Sequence, residues 1–148
     1  VPKKYLLSLV VIVSVLCFAW VVASEATEQI PSTPKGCEVN GYLKCGQTVF
    51  LCLYNASSPD ISKIKDDMGS MLMNFRGAAA AVYVSGDDKA EDALREKFNK
   101  SSSETAVFIV RSGKTPTRLE GTGITKANMM KALYEGCGCV GGCGSGCK

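Results

Sequence analysis

The sequence predicts one α/β domain with the element order βαβαββα, and three observations lead there. Three runs, VFLCLY at 49–54, AAAAVYV at 78–84 and TAVFIVR at 105–111, are continuously apolar and rich in β-branched and aromatic residues, the mark of strands covered on both faces. Between them lie two segments whose apolar residues recur every three or four positions, as one face of a helix requires. The length of 148 residues suits a single domain, and 46% apolar with 21% charged residues supports a packed core.

Each element has its own signal. After the first strand, Ser58-Pro59-Asp60 reads as a helix start, with serine as N-cap, proline at the first helical position and an acid in the first turn. Ile61, Ile64, Met68, Met71, Leu72 and Phe75 then form an inward stripe. The strand at 78–84 follows, and a crossover of this length implies that the first two strands pair in parallel. Beyond Gly86-Asp87-Asp88, a second helix carries Ala90, Ala93, Leu94 and Phe98 inward. The third strand meets a more polar edge strand at 115–120 through the turn Ser112-Gly113-Lys114, which makes an antiparallel hairpin. A last helix with Ala127, Met130, Leu133 and Tyr134 on its stripe ends at Gly136. The expectation is a four-stranded mixed sheet with helices on both faces.

This order, over residues 48–135, resembles the thioredoxin-like superfamily in its minimal form. TAVFIVRSGK followed by a polar strand, glycine and an amphipathic helix is similar to the C-terminal half of thioredoxins. The resemblance implies a reactive C-x-x-C pair at the start of the first core helix, where the helix N-terminus lowers a thiol's pKa. In this sequence those positions read Ser57-Ser58-Pro59-Asp60. The cis-proline that the resemblance places before the third strand falls on Thr105. A hydroxyl cannot form a disulfide, so dithiol exchange at this degenerate site is excluded. The residues there read as helix-capping groups or as a place for an anion or an extended peptide.

Flanking segments set the compartment. Lys3 and Lys4 precede an apolar run at 6–22 and then small residues, the layout of a secretory signal. Cleavage after Ala23 or Ala26 fits. An uncleaved anchor is the rival, since seventeen helical residues span roughly 26 Å against a hydrocarbon core of about 30 Å. Residues 1–23 are thus a signal peptide or membrane anchor, and the remainder is expected in an extracytoplasmic space, periplasmic or secreted. Disulfides are permissible there.

Cysteine is the compositional excess, with eight in the chain and seven beyond residue 23. Residues 24–47 read as a linker followed by a small hairpin, CEVNGYLKC, turning at Asn40-Gly41. A Cys37–Cys45 disulfide across it, or half of a metal site, is expected. Cys52, inside a strand, reads as an inert core thiol. The tail at 136–148 has six glycines and four cysteines. Cys137, Cys139, Cys143 and Cys147 are soft donors on a permissive backbone, suited to a thiophilic ion such as zinc or copper(I). The close Cys137-Gly138-Cys139 pair also suits a strained, labile disulfide.

Composition excludes more. With no histidine, Ser/His and Cys/His catalytic pairs and imidazole ligands are absent. Seventeen basic against fourteen acidic residues, without a basic run, leave no footprint for nucleic acid, and no nucleotide cofactor is indicated. The reading is therefore an exported thioredoxin-like protein, more binder than enzyme, handling soft metal ions through its tail. Two alternatives stay open: thiol–disulfide exchange by the tail cysteines with a thiol-containing protein partner, and a non-catalytic binding module.

Overall fold

The structure, a computed structural model, describes residues 29–99 and 104–136. The hydrophobic segment at 6–22 and the tail cysteines Cys137, Cys139, Cys143 and Cys147 lie outside the described residues. Among those described, no helix is long and apolar enough to cross a membrane.

Elements follow in the order α1 (Pro34–Lys44), β1 (Thr48–Tyr54), α2 (Ile61–Leu72), β2 (Ala79–Ser85), α3 (Asp92–Asn99), β3 (Ala106–Val110), β4 (Thr117–Glu120) and α4 (Lys126–Gly136). The sheet order is β2-β1-β3-β4. β1 and β2 run parallel with Leu51 beside Val82, while β3 is antiparallel to both β1 and β4. The predicted βαβαββα order and mixed sheet are present.

Strand position explains strand composition. β1 and β3 are central, so both faces of each are covered and β3 is buried throughout. Val49, Leu51, Leu53, Ala106, Phe108 and Val110 face one side, closed by α1 and α3 through Val39, Leu94 and Phe98. Phe50, Cys52, Val107 and Ile109 face the other, closed by Ile64, Met68 and Met71 of α2 and Met129, Ala132 and Leu133 of α4. β2, expected to be buried, is the sheet's edge, and only Val82 and Val84 are fully inside.

The expected hairpin is the largest correction. Residues 34–44 form α1, begun by Thr33, whose hydroxyl accepts from Gly36 N at 3.0 Å, with Pro34 in the first turn. Gly36 is required there, because a Cβ would lie 1.9 Å from the Pro31 carbonyl oxygen. The Asn40-Gly41 pair sits inside the helix despite its turn preference, and glycine there costs about 1 kcal/mol relative to alanine. Cys37 and Cys45 are eight residues apart along it, about 12 Å at 1.5 Å per residue, and both are exposed free thiols. A disulfide needs Cα atoms within about 7 Å, so the Cys37–Cys45 bridge does not fit this helix.

Other corrections are smaller. α2 begins at Ile61, with Asp60 as a helical N-cap that makes no side-chain cap bond, so neither Ser58 nor Pro59 has the expected capping role. Ala90 and Ala93 are exposed, and Glu91 is buried in their place. In α4 the inward stripe is Met129, Ala132 and Leu133, while Ala127 and Tyr134 are exposed. Tyr134 instead meets Phe75 edge-on at 6.1 Å.

Candidate functional site

One cleft of about 720 Å³ opens at the end of the sheet where β1 finishes and α2 begins. Of the five residues that the resemblance assigns to a degenerate thioredoxin-like site, Ser57, Ser58, Asp60 and Thr105 line it. Pro59 does not. The chain reaches them through a tight loop in which Ser57 N donates to Asn55 Oδ1 at 3.0 Å and Ser58 N donates to Asn55 O at 2.9 Å. Side-chain turns of this kind are how asparagine fixes a loop without regular structure.

Sequence reading misses the rest of the lining: Asn55, Lys63, Ile64, Glu104 and, from the opposite wall, Gly121, Thr122, Ile124 and Thr125. The glycines at 121 and 123 signal the loop that carries them, but no spacing signals that it faces Ser58. Lys63 Nζ lies 2.7 Å from Asp67 Oδ2, one helical turn on. That hydrogen bond, then the charges of Asp67 and Asp60, raise its pKa, so Lys63 is a fixed cation at the rim.

Two features define the chemistry. Among the described residues that line the cleft, none is a cysteine. The Thr105 hydroxyl oxygen is buried and has no hydrogen-bond partner among the described residues, an arrangement that folded chains avoid. The described lining therefore offers hydroxyls, two carboxylates and one ammonium.

The nearest thiol along the chain is Cys52 in β1, and it is out of play. Burial pushes its pKa up to about 12, with the positive charge of Lys65 opposing weakly. Lys65 itself stands over the Tyr54 ring at 4.7 Å and the Tyr83 ring at 5.5 Å. Burial also raises the Tyr83 phenol. Among the described residues no group of three or more cysteine, aspartate or glutamate side chains is placed to hold a metal ion.

No family model matches the chain, and no curated protein matches it. Solved structures do. A malarial protein superposes with a TM-score of 0.52 at 10% identity, over 60% of this chain and 96% of that one. Chloroplastic thioredoxin z gives 0.54 at 15% identity, over 70% and 88%. The J-Trx1 fragment of ERdj5 gives 0.52 at 18% identity, over 74% of this chain and 51% of that one. With the sheet order β2-β1-β3-β4 and helices on both faces, these likenesses establish that the chain has the thioredoxin-like fold.

Proposed function

We propose that this thioredoxin-like domain works by binding and not by exchange: its cleft holds an extended polypeptide segment of a partner. The observation that carries the reading is the lining itself, hydroxyls and fixed charges with no thiol, around a buried Thr105 oxygen that lacks a partner. An extended backbone supplies the alternating donors and acceptors such a lining satisfies. The test is a panel of extended peptides bound to the full chain, with Thr105→Val and Ser58→Ala as probes. Peptides retained by the parent and released at least tenfold faster by Thr105→Val support the reading. Binding indifferent to both substitutions, or reduction of a disulfide-bonded peptide that Cys137→Ser abolishes, sinks it.

A second reading concerns the tail and rests on its composition, four cysteines and six glycines within residues 136–148. In it, Cys137, Cys139, Cys143 and Cys147 hold a zinc or copper(I) ion as thiolates. The signal-like residues 1–23 support placement of the protein outside the cytoplasm, where this tail handles metal. Elemental analysis of anaerobically purified protein tests it. About one equivalent of metal, lost when all four tail cysteines become serine, supports metal handling. Metal-free protein with tail disulfides opened by mild reductant favours exchange chemistry.

A further inference from the structure

Glu91 is the one charged residue that is buried among those described, with 1% of its surface exposed. It sits at the end of a short 3₁₀ turn, Lys89–Glu91, that two contacts hold rigid. Asp88 caps the turn by accepting from Ala90 N at 3.1 Å, and Arg95 Nη1 donates to Gly86 O at 2.6 Å. From this turn Glu91 Oε1 accepts a hydrogen bond from Lys35 N at 2.8 Å, across 56 positions of sequence. Oε2 is buried with no partner.

Lys35 N is in the first turn of α1, where backbone N–H groups have no partner inside the helix and the helix dipole favours a negative charge. Glu91 therefore caps α1 from another part of the chain. Among the described residues the apolar attachment of that helix is narrow. Its buried residues are Val39 and Gly36, with Tyr42 and Leu43 only partly covered. Among the described residues, its side-chain hydrogen bonds to the preceding chain are the Thr33 cap on Gly36 N at 3.0 Å and a long one from Asn40 Nδ2 to Ile30 O at 3.5 Å.

We propose that Glu91 is the latch of a detachable helix: α1 undocks as a unit, below the cost of global unfolding, and the Glu91 carboxylate sets how often. Undocking bares the sheet face of Val49, Leu51 and Val82 while α2, α4 and the cleft keep their packing.

Backbone hydrogen exchange of the full chain in deuterated water tests this. The parent is expected to show one shared protection level across 38–44, lower than that of β1 and β3. Glu91→Leu is expected to speed exchange across 38–44 about tenfold or more, with β1 and β3 unchanged. Glu91→Gln, which keeps an oxygen for Lys35 N but loses the charge, is expected to fall between. It also carries the test if the leucine variant does not fold. Equal protection of α1 and the central strands in the parent overturns the proposal. So does acceleration spread evenly over all elements, or an α1 unchanged in Glu91→Gln.

Discussion

On one face of the sheet, α2 and α4 press Ile64, Met68, Met71, Met129 and Leu133 onto Phe50, Cys52, Val107 and Ile109, a broad contact between apolar side chains. On the other, α1 contributes one large, fully buried side chain, Val39, and meets a carboxylate delivered by the turn before α3. Methionine-rich packing distributes its energy over many weak contacts, so that no single atom decides it. On the opposite face, α1 concentrates its attachment in a few groups. One sheet thus carries a helix pair fastened by many apolar contacts and a helix fastened by few, and the cleft lies with the pair through Ile64 and Ile124.

The contrast can be broken from the apolar side first. Cys52 is neutral in the fold with a pKa of about 12, against an ordinary value of 9.0. As pH rises from 9 towards 12 the unfolded chain loses this proton and the folded one keeps it, so stability falls with pH over that window. The loss attributable to Cys52 is about 1.4 kcal/mol per pH unit, approaching about 4 kcal/mol at the top. Urea melts of the parent and Cys52→Ala at pH 8 and pH 11 measure it, and the variant is expected to have the shallower pH slope. Met68→Ala, in the same layer, is expected to lower stability by about 2–5 kcal/mol through the cavity it leaves, read from the urea midpoint at pH 7.

On the other face, Val39→Ala is expected to cost less, about 1–2 kcal/mol in the same melt. A Val39→Ala cost equal to that of Met68→Ala would erase the asymmetry. Smallest of all is the Lys63–Asp67 pair of α2, at the rim of the cleft. Asp67→Asn is expected to leave the urea midpoint unmoved, while the Lys63 amine, followed by NMR titration, loses its raised pKa.

The same division governs what the sequence makes legible. β1 and β3 are legible because strands buried on both faces need unbroken apolar runs, and the segments holding Val49 and Val110 supply them. α2 is legible because Ile64, Met68 and Met71 repeat at helical spacing. α1 is misread because Asn40-Gly41 is a strong turn signal, and one group that caps the helix, Glu91, lies far off in sequence. Thr33-Pro34, a capping residue followed by first-turn proline, is the local clue. In α4 the two stripes through Ala127 and Met129 have the same period, and only the neighbouring helix decides between them. As for the cleft, only resemblance joins Ser57, Ser58 and Asp60 to Thr105, since no periodicity links a loop to a strand start. Thr122 and Thr125 carry no such pointer.

Arg111 gives the molecule a mechanical property. Its guanidinium donates to the carbonyl oxygens of Ala132 and Leu133 in the last turn of α4, tying that helix end to the residue after β3. A pull on the chain beyond Gly136 is therefore carried through this tether into β3, which is bonded to strands on both sides. The end of the chain that leads to the cysteines thus leaves the fold beside a central strand, at the end of the sheet opposite the cleft.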